Sequence, residues 1–379
     1  MNRSRLMMAA ALAAVVVATG AGCGAPESEP RWVAATVEPS EAAPSTAPSP
    51  SATAEPAGGA ISLSATGDIV MGRPGAYPAN DGKGFFDKVK SLLPADLVMG
   101  NLEEPITDDT GTRKCAPTST KCHQFRVPPH YAKYLSDAGF MLMNQANNHG
   151  NDFGSKGYSN TQKALEEVGL KHTGAPDQIT VVDVKGVKVA VVGFSSYAWN
   201  NSLTNITSAK KVVEKAAEKA DIVVVQVHMG AEGSGMTHVK PGTEMFLGEN
   251  RGDPIKFSHA MIDAGADLIV GHGPHVLRGM EFYKGRLIAY SLGNFAGGGR
   301  SLTPDGRLGW GGVLKVTLKA DGSWVSGDFL SSIMNSAGIP TVDSNKKGAG
   351  AVSDLTKADF PKTGPKIDKS TGKITPADA

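Results

Sequence analysis

The chain has 379 residues, with 38 lysines and arginines against 37 aspartates and glutamates, for a formal net charge of +1. No basic patch interleaved with aromatics stands out, so composition gives no support to a nucleic-acid partner. Once the low-complexity ends are set aside, about 275 residues remain, enough for one α/β domain with a large core.

The N-terminus sets the expected compartment. Met1 to Arg5 carries two arginines, Leu6 to Val17 is unbroken apolar sequence, and Thr19-Gly20-Ala21-Gly22 leads to Cys23. That order predicts a secretory signal peptide over residues 1–22, with an apolar run too short to span a bilayer permanently. A cysteine behind small residues resembles a bacterial lipobox, which makes Cys23 the lipidated first residue of a mature lipoprotein at the outer face of the cell membrane. Gly20 stands where such boxes usually carry Leu, and an ordinary cleaved signal is the alternative. Residues 23–59 are rich in Pro, Ala, Ser, Thr and Glu and are expected to form a disordered tether.

Residues 60–335 then alternate short apolar runs with helical spacings. Strands are expected at Ile61 to Thr66 and Asp96 to Met99, with helical spacing between them at Phe85 to Leu93. Cys115 and Cys122 flank a turn-prone stretch, and in an exported chain a short disulfide loop is the leading reading. A zinc pair is the rival, although the spacing is wider than its usual two to four or so residues. A helix opens at Pro128-Pro129, followed by a strand to Asn144 and a helix from Ser155 to Val168, ended by Gly169. Lys185-Gly186 joins strands Thr180 to Val184 and Val187 to Phe194. Helices at Ser208 to Ala220 and Ile255 to Ala264 alternate with strands at Ile222 to Val227 and Leu268 to Val270. Four strands between Val276 and Leu330, joined by tight turns, complete the domain. Residues 336–379, poor in aromatics, are expected to be a flexible tail. The alternation predicts two mixed sheets packed face to face with helices outside.

The polar residues that stand out follow strand ends, where open α/β sheets place ligands. They are Asp68; Asn101 and Glu103; Asn147, Asn148, His149 and Asp152; His228 and Glu232; and His272 and His275. Carboxylate, amide and imidazole together suit manganese, iron or zinc better than calcium. One or two such ions could clamp a phosphoryl group. His149 held by Asp152 is the candidate proton donor to a leaving group. No Gly-x-Ser-x-Gly elbow and no P-loop occur.

At these residues the sequence resembles the bacterial capsule-synthesis (poly-γ-glutamate biosynthesis) proteins, relatives of calcineurin-like metallophosphatases. The matching pieces are Thr66-Gly67-Asp68 through Arg73, Gly100-Asn101-Leu102-Glu103, Ala146-Asn147-Asn148-His149, His228-Met229-Gly230-Ala231-Glu232, Gly271 to Val276, and Ser291-Leu292-Gly293-Asn294-Phe295. The resemblance implies a four-layer α/β/β/α sandwich with metal ligands Asp68, Glu103, Asn148, His228, His272 and His275. Arg73, Asn101, Glu232 and Asn294 are expected near substrate. Val70 stands where metallophosphatases usually carry a His, Glu103 replaces their bridging Asp, and the last histidines are spaced His-x-x-His. Two functions follow: a metal-dependent hydrolase of a phosphoester or anionic polymer, or a non-catalytic polymer-binding subunit of a membrane-bound synthase.

Overall fold

The computed structural model describes residues 59–116, 118–119 and 122–377. The expected signal peptide, Cys23 and nearly all of the expected tether lie outside the described residues. In chain order, β1 (Ile61–Val70) and β2 (Leu97–Leu102) precede α1 (Ala132–Ala138), β3 (Leu142–Asn144), α2 (Gly154–Glu167) and β4 (Lys171–Thr173). A hairpin of β5 (Thr180–Val184) and β6 (Val187–Ser195) leads through β7 (Asn201–Ser202) to α3 (Ile206–Ala217) and β8 (Ile222–His228). A small hairpin, β9 (Met245–Phe246) and β10 (Glu249–Asn250), precedes α4 (Pro254–Asp263) and β11 (Leu268–His272). Then come β12 (Met280–Tyr283), β13 (Arg286–Ala289), β14 (Asn294–Gly297), β15 (Trp310–Leu318) and β16 (Trp324–Met334). The chain closes with β17 (Pro340–Val342), α5 (Lys347–Asp359), β18 (Lys366–Ile367) and β19 (Lys373–Thr375).

Two mixed sheets result. The larger runs β18-β19-β16-β15-β1-β2-β3-β4, with β14 on β1 and β17 on β16; the smaller runs β12-β13-β11-β8-β6-β5, with β7 on β6. Side chains alternate faces along a strand, and that alternation sorts the apolar residues into layers. Ile61, Leu63 and Ala65 of β1 meet Val224 of β8 and Val270 of β11 in the core between the sheets. Val223, Val225 and Val227 face outward onto Val213 of α3 and Phe257 of α4. Val98, Leu102 and Met143 face the other way, onto Leu135 of α1 and Leu165 of α2. The order is therefore α/β/β/α, and the apolar stretch Ile222 to Val225 of β8 is explained by cover on both faces. Local chemistry agrees with the packing: Asn205 caps α3 by accepting from Ser208 N, and Asp253 caps α4 with Pro254 in its first turn.

Several expectations need correction. Phe85 to Leu93 forms turns and a single 3-10 turn at Lys90–Leu92 rather than a helix. Gly82 and Gly84 at positive φ and Pro94 bound it, and its buried phenylalanines satisfy the apolar spacing without one. The strand expected from Val276 begins only at Met280, because His275 at φ 60 and Gly273 at φ 110 turn the chain first. β4 and β14 had no clear signal; β14 reads Asn-Phe-Ala-Gly, too short and too small for a period. Residues 336–377 are not a loose tail. β17 and β19 pair with β16, while Ala349 and Val352 of α5, Ile367 and Ile374 enter the core between the sheets. A few small apolar residues bury this segment, so its lack of aromatics was misleading. Cys115 and Cys122 are joined in a disulfide, which removes the zinc-pair alternative.

Candidate metal centre

Sheet register assembles half of the site. Asn294, Asp68, Asn101, Asn144 and Thr173 stand opposite one another across β14, β1, β2, β3 and β4, one polar rung near the carboxyl ends of β1 to β4 and at the amino end of β14. Gly67 permits this: a Cβ there would lie 2.0 Å from Gly293 O. The other sheet supplies His228 and His272, in register on β8 and β11.

Across the gap these groups converge. His272 Nδ1 lies 3.4 Å from Asp68 Oδ1, and His275 Nδ1 lies 3.3 Å from Asp68 Oδ2. His275 Nε2 is 3.6 Å from Glu103 Oε1 and 3.7 Å from Glu232 Oε2, and His228 Nδ1 is 3.9 Å from Glu103 Oε1. Ligand atoms of Asp68, Glu103 and His275 all fall within 4.8 Å of one another. Asp68 Oδ2, both Glu103 oxygens, Asn148 Oδ1, His228 Nδ1 and His272 Nδ1 are buried yet make no hydrogen bond. Native proteins rarely leave such groups unpaired, and a cluster of them calls for an ion. The donor set of carboxylate, amide oxygen and imidazole fits a borderline divalent cation.

The charges respond to this crowding. Burial pushes the Asp68 carboxyl up, but the close rings of His272 and His275 outweigh it and hold the group well below the usual carboxylate range. Burial holds Glu103 well above that range, against the pull of His275. For His275, burial favours the neutral ring, but Glu103 and Asp68 prevail and raise it well above normal. Burial, reinforced by Arg251, keeps His228 neutral.

Beside the centre opens a cleft of about 570 Å³ lined in part by Asn148, His149, Trp199, Glu232 and Arg251. His149 Nδ1 is 2.7 Å from Asp152 Oδ2 and its ring lies 4.3 Å from that of Phe125. An ionised Asp152 only accepts, which puts the proton on Nδ1 and leaves Nε2 for exchange. Lys114 Nζ pairs with Asp152 Oδ1 at 3.2 Å and donates to Asn148 O at 3.3 Å. Burial lowers the His149 pKa, with Asp152 opposing.

Of the residues expected near substrate, only Glu232 lines this cleft. Asn101 is fully enclosed: its Nδ2 donates to Asp68 Oδ1 at 2.8 Å and its Oδ1 accepts from Asn144 and Asn147. It orients Asp68 and has no face left for substrate. Asn294 Oδ1 is 2.8 Å from His275 Nδ1 while its Nδ2 donates to Leu308 O, so it too positions a candidate ligand. Arg73 is exposed and lies in a separate cavity. Asn148 donates to Glu232 Oε1 at 3.3 Å and keeps its own oxygen unpaired.

Arg251 was missed. Its buried guanidinium holds Glu232 Oε1 at 2.8 Å and Glu249 at 3.0 Å, lies 3.4 Å from His228 Nε2, and stacks over Tyr197 and Phe246. It comes from a loop with no apolar strand before it, so only the folded chain reveals it. Glu104 was passed over as a neighbour of Glu103; it is buried and accepts from Met71 N and Gly72 N, fixing the end of β1.

Layers and centre together define an α/β/β/α protein with a buried cluster of carboxylates and imidazoles between its sheets. Residues 62–298 match the family described as bacterial capsule synthesis protein PGA_cap, and the chain belongs to that family. It is 33% identical over 260 residues to the capsule biosynthesis protein CapA of Bacillus anthracis, covering 62% of this chain and 59% of that one. It is 32% identical over 256 residues to the PGA biosynthesis protein CapA of Bacillus subtilis (strain 168), covering 62% and 63%. The chain thus spans about three-fifths of the length of these relatives. Among solved structures it is similar to a 5'-nucleotidase precursor from Thermus thermophilus, with 14% identity, a TM-score of 0.41, and 79% of this chain and 59% of that one covered.

Proposed function

We propose that the chain is a lipid-anchored component of capsule or poly-γ-glutamate assembly whose folded part is a metal-dependent hydrolase of the phosphoesterase type at the outer face of the cell membrane. The observation that carries the reading is the set of buried, unpaired donor atoms on Asp68, Glu103, Asn148, His228 and His272. These residues and His275 would hold one or two ions of manganese, iron or zinc. When bound, such an ion supplies Lewis acidity to a phosphoryl or carbonyl oxygen. Asn101 and Asn294 keep Asp68 and His275 aimed. His149, with Nδ1 tied to Asp152, offers Nε2 to move a proton to or from the leaving group. Glu232, held by Arg251 and Asn148, closes the centre toward the cleft.

The test is metal content, by elemental mass spectrometry, of residues 59–379 beside the same chain carrying His228→Ala and His272→Ala. Near-stoichiometric manganese, iron or zinc that disappears in the double variant is the expected result. A wild type that stays metal-free after soaking at neutral pH sinks the hydrolase reading. Anchoring is tested by Cys23→Ser, which should move the full chain from the membrane to the soluble fraction; retention on the membrane refutes lipidation at Cys23.

A second reading is a polymer-binding subunit of a membrane-bound synthase without turnover. It is favoured by Val70, which is fully buried against Phe125, Leu302 and Met334 and gives no ligand where metallophosphatases usually have a histidine. Unchanged polymer output in cells carrying His228→Ala and His272→Ala supports it; loss of output speaks for catalysis.

A further inference from the structure

Arg73 ends the first motif of the sequence, yet it takes no part in the centre. It lies in a second cavity of about 420 Å³ that shares Arg113, Cys122 and His123 with the catalytic-side cleft. The two cavities therefore meet at the disulfide loop. Three arginines, Arg73, Arg113 and Arg300, line the second one, and among the described residues no aspartate or glutamate does.

The backbone itself builds this arginine rim. β1 and β14 are parallel neighbours, with Asp68 opposite Asn294 and Val70 opposite Gly297. Each then overruns into a turn that carries an arginine. The first turn is closed by backbone bonds between Arg73 and Ala76 of 2.8 and 3.4 Å. The second rests on it backbone to backbone: a Cβ on Gly298 would lie 2.0 Å from Met71 O, and one on Gly299 1.8 Å from Ala76 O. Arg300 itself is held at φ 56, a left-handed conformation that a long side chain adopts only at a cost. Arg113 is paired with Asp109 at 2.7 Å and Arg300 with Asp305 at 2.8 Å, both half-exposed pairs that exchange readily with an incoming anion. Arg73 has no ion pair among the described residues. It lies five residues beyond Asp68, so their Cα atoms are at most about 18 Å apart.

We propose that Arg73, Arg113 and Arg300 form an anion-binding subsite that grips a polyanionic chain some repeat units away from the bond held at the metal centre. Its ligands are carboxylate or phosphate groups carried in series, which the planar guanidinium fork matches in pairs. The place of the reacting bond rests on the hydrolase reading; the anion grip does not.

The test uses the full chain in detergent micelles, with a fluorescent oligoglutamate and a fluorescent oligophosphate, each of roughly ten units, as probes. A charge-assisted contact is worth about tenfold in affinity. Arg73→Gln and Arg300→Gln should each weaken the fitting probe by about that factor, and the pair by about a hundredfold. Melting temperature and bound metal should not change. Arg73→Gln is the cleaner variant, because Arg300 also donates to Ser336 O at 2.8 Å. Loss confined to the oligoglutamate or to the oligophosphate supports the subsite and identifies its anion. Wild type that binds neither probe, or a double variant that binds both as wild type does, overturns it. A wild type without metal that still binds through the arginines overturns the metal centre and leaves the subsite standing.

Discussion

Asn101 shows how much one buried amide can hold. It donates to Asp68 Oδ1 at 2.8 Å and accepts from Asn144 Nδ2 at 3.0 Å and Asn147 Nδ2 at 3.2 Å. Asn101→Leu keeps the volume but removes the donor to Asp68 Oδ1 and one acceptor each from Asn144 Nδ2 and Asn147 Nδ2, which keep Ala146 O and Leu102 O. A hydrogen bond to a charged group is worth about 1.5–3 kcal/mol, so the metal-free protein should lose roughly 2 kcal/mol in urea unfolding. A loss below about 0.5 kcal/mol, the scale of an ordinary surface change, would mean that the rung is not held by this side chain. The sequence placed Asn101 correctly at a strand end but not on a side of the rim. Whether a residue faces the cleft or lies beneath a ligand is decided by pairing with β1 and β3, and a single strand's sequence does not carry its partners' register.

At the scale of elements, the segment after Asn335 is a structural part of the larger sheet. β19 pairs with β16, Phe329 N donates to Gly372 O at 2.8 Å, and the Phe360 ring stacks on Tyr290 at 5.0 Å. Val352, Ile367 and Ile374 are all buried. At about 1.5–3 kcal/mol for each such side chain, these three alone contribute roughly 5–9 kcal/mol, comparable with the whole stability of many domains. A chain ending at Asn335 should therefore lose its cooperative thermal transition; a sharp transition within a few degrees of the full chain's would show that the segment is dispensable. The other elements were legible for a physical reason. β8 opens with four consecutive large apolar residues, α3 has a clean amphipathic period and an Asn cap, and the β5–β6 hairpin turns on Lys185-Gly186. α5 gives no such signal, since Gly348, Ala349, Val352 and Thr356 are its buried residues and only one of them is a large hydrophobe. The clustered carboxylates and histidines were legible because each lies at or just beyond the end of a strand. Arg251 was not, because a loop folded back from β10 delivers it.

For the molecule as a whole, the end of the sheets away from the site carries a buried charge that sets a pH dependence. Asp267, just before β11, accepts from Val223 N at 2.8 Å and pairs with Arg286 at 3.1 Å. Arg286 in turn donates to Asp321 O at 3.1 Å, in the turn between β15 and β16, so this junction links the two sheets. The contact is close: a Cβ on Gly322 would lie 2.1 Å from Asp267 Oδ1. Burial raises the Asp267 carboxyl to about 6, against the opposing hydrogen bond from Val223 and the charge of Arg286. The folded state thus holds this proton more tightly than the unfolded chain, whose carboxyl titrates near 3.8. Its contribution is fully present below that lower value and is lost as pH rises through about 6. The shift of about two units corresponds to roughly 3 kcal/mol. Asp267→Asn keeps an acceptor for Val223 N and removes the titration. Relative to wild type, the variant should therefore gain stability between about pH 4 and pH 7 by up to that amount, read from urea midpoints at fixed salt. A difference that stays flat across this window would show that Arg286 keeps the carboxylate ionised throughout. A difference that falls would show that the ion pair between the sheets outweighs the cost of burying it.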